Sequence, residues 1–333
     1  MLKDARVTGR RRLRIALSMA ALLEDIPSWA QQPGKVSRLA ILDLHSPSIS
    51  LVPAFLKELQ GLGYVEGKNL TVDWRFAEGH YERVPDLAAT LIGLKPDVIV
   101  TYSTPSVRAF KKATSTIPIV AIKVGDPVGN RLAVSLARPG GNVTGLANPG
   151  EDISPKYLEL LIALYPKLSC VAVLLNPGNN VFSTVGMPGI QAVARRTKVK
   201  VMTIEARSPG EIESAFAVMT REGVEAVIVG VDALFALQQT QIAELALKHR
   251  LLSMFAFRQV SELAGLMSYG QDAHYYFRRA ALYVDKILKG AQPGELPFEQ
   301  PTRFQLVINR RTAKALGVPL PQELLLRADE VID

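Results

Sequence analysis

Short β-branched runs alternate with stretches of helical period from Arg38 onward, and no other feature restricts the fold of this chain as strongly. The runs fall at 39–42, 70–74, 97–100 and 119–122. Between them Val84, Leu87, Ala88, Leu91 and Ile92 recur at helical spacing, and Leu51, Phe55, Leu59 and Leu62 make a similar stripe. Repetition of strand, helix and strand predicts a parallel sheet with helices on both faces, the doubly wound α/β class.

The alternation pauses at Pro139-Gly140-Gly141, which cannot continue a helix, and a short extended piece follows at 143–146. It then starts again, with runs at 171–175, 200–204, 226–229 and 252–256 separated by helical segments such as 211–216 and 241–246. A chain of 333 residues exceeds one ordinary core, so two Rossmann-like lobes are expected. A strand at 266–269, a helix striped by Phe277, Ala280, Ala281, Val284, Ile287 and Leu288, and a last strand at 305–309 complete the pattern. The expected division is 38–145 plus 270–333 in the first lobe and 146–269 in the second. The chain then crosses between lobes more than once, and such crossings behave as a hinge.

The N-terminus follows a separate logic. Arg10-Arg11-Arg12-Leu13-Arg14 precedes an apolar run at 15–23 and then Ser28-Trp29-Ala30, with small residues at the −3 and −1 positions of a cut after Ala30. That order predicts a signal peptide over 1–30 and export to the periplasm. This run of nine residues rises about 14 Å as a helix, under half of a hydrocarbon core about 30 Å thick, so no stable membrane span is expected. Six of the 39 Lys and Arg residues and one of the 31 acids lie in the first 14 positions. The remainder is only weakly basic, and nothing in it points to nucleic acid.

Much chemistry is excluded. One cysteine, Cys170, and four scattered histidines build neither a disulfide framework nor a metal site. The Gly61-Leu62-Gly63 to Gly67-Lys68-Asn69 stretch has neither the Walker nor the dinucleotide spacing, and reads as a helix stop and turn. No G-x-S-x-G elbow, H-E-x-x-H pair or kinase signature occurs, so neither a cofactor nor catalysis is expected. His249 and His274 read as surface or packing residues, and Asp329-Glu330 as part of a solvated tail.

Open α/β sheets bind ligands beyond the carboxyl ends of their strands, where N–H groups of the following helices converge. The candidate contacts are therefore His45 and Ser46 after the first strand, Ser103 and Thr104 after the third, and Gly125 and Asp126 after the fourth. Asn176, Asn179 and Asp232 hold the equivalent places in the second lobe, with Phe257 and Tyr269 as candidate aromatic walls. Asp126 and Asp232 are the groups available to meet a cation such as an amine. Thr104-Pro105 and Asp126-Pro127 also suit a purely structural role as an N-cap followed by proline.

Several strings carry a more specific signal: Leu94-Lys95-Pro96-Asp97-Val98, Val124-Gly125-Asp126-Pro127-Val128-Gly129, Ser135-Leu136-Ala137-Arg138-Pro139-Gly140-Gly141-Asn142-Val143-Thr144-Gly145, and Gly265-Leu266-Met267-Ser268-Tyr269-Gly270. Together with Asp285-Lys286-Ile287-Leu288-Lys289-Gly290 and Ala313-Lys314-Ala315-Leu316-Gly317 they resemble the ABC-transporter substrate-binding protein family of the tryptophan/tyrosine-uptake type, from about Arg38 to the end. The resemblance implies a type 1 periplasmic binding fold, with two Rossmann-like lobes joined by three crossovers and closing on a small solute. It implies an ABC permease and its separate ATPase as partners, and Ser103, Thr104, Gly125 and Asp126 as first-lobe cleft residues. The loop from Asn176 to Phe182 is less typical of the family. The expectation is an exported solute-binding protein that catalyses nothing. Its rivals are an intracellular ligand-sensing regulator, for which residues 1–37 lack a DNA-reading helix pair, and a two-lobe enzyme such as a sugar transferase, for which no nucleotide loop or acid and base constellation is present.

Overall fold

The computed structural model describes residues 36–49, 51–148, 150–256, 264–300 and 302–333; the leader expected over 1–30 and the candidate Phe257 lie outside them. The first sheet is built from β1 (Ser37–Asp43), β2 (Leu70–Phe76), β3 (Val98–Tyr102), β4 (Ile119–Gly125) and β5 (Val143–Asn148), in the order β2-β1-β3-β4-β5 and parallel throughout. Helices α1 (Val52–Gly61), α2 (Val84–Gly93) and α3 (Thr104–Ala113) connect its strands. Its central strands are apolar on both faces, as a sheet covered by helices on each side requires. Strand order reverses beside β1, which places the crevice for a ligand at the carboxyl ends of β1 and β3.

After α4 (Gly150–Leu164) the second lobe adds β6 (Cys170–Leu175), α5 (Met187–Thr197), β7 (Lys200–Glu205), α6 (Pro209–Arg221), β8 (Ala226–Val229), α7 (Ala233–Leu237), α8 (Gln239–Lys248), β9 (Leu252–Phe255) and β10 (Met267–Gly270). The remaining elements are α9 (Ala273–Leu288), β11 (Gln305–Asn309), α10 (Arg310–Leu316), α11 (Gln322–Arg327) and β12 (Glu330–Ile332). The second sheet runs β12-β11-β10-β9-β8-β6-β7, with β11 antiparallel to β10.

Here the expected division needs correcting. Residues 270–333 do not all complete the first lobe. Helix α9 does cover the first sheet, burying Tyr276, Phe277, Ala280, Tyr283 and Val284 among Leu39, Phe55 and Val100. Strand β11, however, pairs with β10 and sinks Leu306 and Ile308 into the core formed by α4 and α5 against β6. The physical reason is that β10 would otherwise expose an unpaired edge, which an apolar strand satisfies in both hydrogen bonding and burial. Asp329 and Glu330 are not a solvated tail either: the Leu306 amide donates to Asp329 Oδ2 at 2.8 Å, and Glu330 opens β12 beside Val307. The chain thus passes between the sheets after Asn148, between Gly270 and Ala273, and again before β11, where Glu299 still bridges to Leu146 of β5.

One irregularity in the first sheet matters for the site. The register of β4 on β5 shifts between Ala121 and Val124, and Lys123 inside that bulge has φ 58°. A bulge re-aims a side chain out of the ladder. Strand β5 passes it with Gly145 at φ 138°, where a Cβ would stand 2.1 Å from the Ala121 carbonyl oxygen, so only glycine fits.

Candidate functional site

The carboxyl ends of β3 and β4 and the loops after β6 and β8 enclose a small cavity of about 40 Å³ between the lobes. Tyr102, Ser103, Thr104, Lys123, Gly125 and Asn148 line it from the first lobe, and Asn179, Val181, Phe182 and Asp232 from the second. Tyr102 also borders a larger neighbour of about 230 Å³, whose walls include His45, Ile49, Leu51 and Phe277, with Ala236 and Gln239 opposite. The His45 ring meets Tyr102 edge-on at 4.9 Å, and Tyr102 stacks on Phe277 at 6.5 Å. The larger cavity is therefore a mainly apolar, aromatic compartment.

The first-lobe wall of the small cavity is strained and polar. Ser103 precedes α3 with φ 75° and ψ 156°, and no side chain caps the helix. Its hydroxyl is buried with no hydrogen-bond partner. A non-glycine residue there costs of order 1–3 kcal/mol, a cost characteristic of binding and catalytic positions. Thr104, expected as a cap, is instead the first helical residue, and its Oγ1 accepts from the Gly125 amide at 3.1 Å, leaving its proton free to donate. Lys123 is only 9% exposed, with its ammonium 6.0 Å from the centre of the Tyr276 ring. Burial pushes its pKa down to about 8. Helix N-terminus, hydroxyls and ammonium make this wall a receptor for negative charge.

The opposite wall is organised by Asp232, the N-cap of α7. Its Oδ1 accepts from the Leu234 amide at 2.9 Å and from Asn176 Nδ2 at 3.0 Å. Its Oδ2 accepts from the Tyr81 hydroxyl at 2.7 Å and from Asn179 Nδ2 at 3.2 Å. Four donors fill the ordinary capacity of a carboxylate. Tyr81 belongs to the first lobe, so this bond spans the cleft. Burial, and then the charge of Asp232, hold the Tyr81 hydroxyl well above its usual pKa and so in its donating form. Replacing Tyr81 by phenylalanine is expected to weaken solute binding about tenfold by removing a bond made only when the lobes meet; titration calorimetry checks it.

Of the residues expected from sequence, Ser103, Thr104, Gly125, Asn179 and Asp232 come together at the small cavity, and His45 lines the larger one, its Nδ1 2.8 Å from Asp43 Oδ1. Others stand elsewhere. Asp126 does not line either cavity: its Oδ1 accepts from the Gly129 amide at 2.8 Å, as the first residue of a turn. Asp126→Ala is therefore expected to lower stability by about 1 kcal/mol while leaving affinity unchanged, measurable by thermal melting beside calorimetry. Asn176 faces Asp232 rather than the small cavity, Ser46 bonds Ser48 at 2.7 Å, and the Tyr269 ring stacks on Phe304 at 5.8 Å. Sequence reading missed Lys123, Tyr81, Tyr102 and Phe277. The one available signal was a lysine inside the apolar run 119–124.

Two doubly wound lobes, crossed three times by the chain and enclosing cavities at their strand ends, define a solute-binding protein of the two-lobe type. The family model for "ABC transporter substrate binding protein" matches residues 40–332, and the chain belongs to that family. A tyrosine-binding protein of Clostridioides difficile is 27% identical over 266 residues, covering 79% of this chain and 75% of the relative. A conserved domain protein from Vibrio cholerae superposes with TM-score 0.83 at 29% identity, over 89% of this chain and all of that one. The ABC domain of a Streptococcus pneumonia protein in complex with L-Trp gives 0.80 at 27% identity, over 89% and 99%. A ligand-free, open substrate-binding protein of Clostridium difficile gives 0.63 at 25% identity, over 89% and 99%. Among the described residues, no helix is long and apolar enough to cross a membrane.

Proposed function

We propose that the chain captures a small solute carrying an aromatic ring and a carboxylate, the class to which tyrosine and tryptophan belong, and hands it unchanged to an ABC permease driven by a separate ATPase. The observation that carries this reading is the pairing of two cavities at Tyr102. A polar one at the start of α3 suits the carboxylate, and a larger one walled by His45, Tyr102 and Phe277 suits the ring. Aromatic walls stack on a planar ring at offset or edge-on geometry, adding to the apolar area buried. The relatives named for tyrosine and crystallised with L-Trp support the same class. The basic, apolar and small-residue order of residues 10–30 supports export, and delivery requires that closure present a surface the open form lacks.

In this reading nothing reacts. Ser103, Thr104 and Lys123 orient the solute, Val181 and Phe182 close over it, and the Tyr81 to Asp232 bond holds the lobes together while water is excluded. The test is mass spectrometry of small molecules released when freshly purified protein is denatured, followed by calorimetry with what is found. Aromatic amino acids or aromatic acids are expected. Release of a sugar or polyol, or conversion of the solute by the purified protein, would overturn the reading.

A further inference from the structure

The two cavities are unequally provided with charge. Among the described residues lining them, Lys123 is the one ammonium and Asp232 the one carboxylate. Lys123 stands on the same wall as the unpartnered Ser103 hydroxyl and the uncapped start of α3, a helix of ten residues. Ser103 is itself only 9% exposed. These three features converge on a negatively charged group and on nothing else.

Among the described residues there is no matching provision for a positive group. Asp232 spends both oxygens on Leu234, Asn176, Tyr81 and Asn179, and Asp126 is committed to its own turn. Asp43, behind Tyr102, accepts from the His45 amide at 3.0 Å and meets its ring. An ammonium brought into this space would be desolvated with no carboxylate among the described residues left to receive it, a cost that the anionic end of a zwitterion must offset.

We infer that the site selects arylalkyl carboxylates through their anionic group, with Lys123 as the specificity-determining residue, and that an α-ammonium group is dispensable to the solute. This rests on the functional reading above and narrows it: simple aromatic acids, such as those left by removal of the amino group from aromatic amino acids, are ligands in their own right. The geometry assigns the carboxylate to Ser103, Thr104 and Lys123, and the ring to the compartment beyond Tyr102.

Calorimetry on the full chain, freed of bound solute by unfolding and refolding, tests this with two matched sets. One is L-tyrosine, 3-(4-hydroxyphenyl)propionate and tyramine; the other is L-tryptophan, indole-3-propionate and tryptamine. In at least one set the propionate is expected to bind as tightly as the amino acid or more tightly, with no binding of the amine. Lys123→Met, which keeps the buried stem and removes the charge, is expected to weaken the propionate at least about tenfold. Unchanged circular dichroism of Lys123→Met confirms that it folds, and Lys123→Arg supplies a charged control that should retain part of the affinity. If the amino acid binds and its propionate is more than about tenfold weaker, the ammonium is required and the inference falls while the functional reading stands. Unaltered propionate affinity in Lys123→Met also overturns it. If no member of either set binds, the reading and the inference fall together.

Discussion

Replacing Gly125 with valine is expected to lower solute affinity at least about a hundredfold without unfolding the protein. Gly125 closes β4 at the cleft, and a Cβ placed on it would stand 2.5 Å from Val181 Cγ1 of the opposite lobe. Its φ is not in the left-handed region, so backbone strain is not the issue and valine suits a strand end. The clash exists only when the lobes meet. An open form accommodates the side chain, so the unliganded melting temperature should change little while the closed, solute-holding form is denied. Calorimetry reads the affinity, and solution scattering reads whether solute still compacts the molecule. Gly125→Ala combined with Val181→Ala, which returns the lost space, is expected to bind within about tenfold of the parent. Parent-like affinity in Gly125→Val would mean that the lobes do not close as described.

The second large effect is on pH. Burial lowers the Lys123 pKa from 10.5 to about 8, so the ammonium is present below pH 8 and is lost above it. A carboxylate that needs this ammonium binds with constant affinity below pH 8. Above it, each binding event must take up a proton, and affinity falls by up to tenfold per unit until the pKa of the bound state is reached. Among the described residues, the other titratable groups of this cavity and its surroundings are Tyr102 on β3, Tyr276 on α9, Tyr81 and Asp232 joined across the cleft, and the His45 and Asp43 pair beyond Tyr102. Burial above all holds the three tyrosines above their usual range, so none opens a charge between pH 8 and 10. Indole-3-propionate has no group of its own titrating there. Its affinity should drop about fiftyfold from pH 8 to pH 10 in the parent and stay level in Lys123→Met. Folding stability should move the other way. A lysine with a lowered folded pKa destabilises the unliganded protein while it is charged, and that penalty is relieved between pH 8 and 10.5.

The parts of this site legible in sequence are those with local causes. Alternation of period two and period 3.6 locates nearly every strand and the helices α1, α2, α6, α8 and α9, and the topology of doubly wound sheets then points to Ser103, Thr104, Gly125, Asn179 and Asp232 without any contact being known. What escaped depends on partners distant in the chain. Lys123 sits in a run that reads as uniform core, and only the bulge opposite Gly145 turns it to the cleft. Tyr81 follows an unremarkable turn after β2 and gains its role from Asp232, 151 residues away. Asp126 and Asp232 look alike on paper, each after a strand. One is consumed by its own turn and the other by the opposing lobe. The tail was divided wrongly because period identifies β11 as a strand but not the sheet edge it joins; that is decided by which edge is left open, at β10.

The most direct measurement is a crystal structure of the full chain with the propionate that calorimetry ranks first. The account predicts one molecule between the lobes, with carboxylate oxygens within hydrogen-bond reach of Ser103 Oγ and Lys123 Nζ and the ring against Tyr102. A solute bound to one lobe alone, or turned so that Lys123 faces its ring, would contradict it.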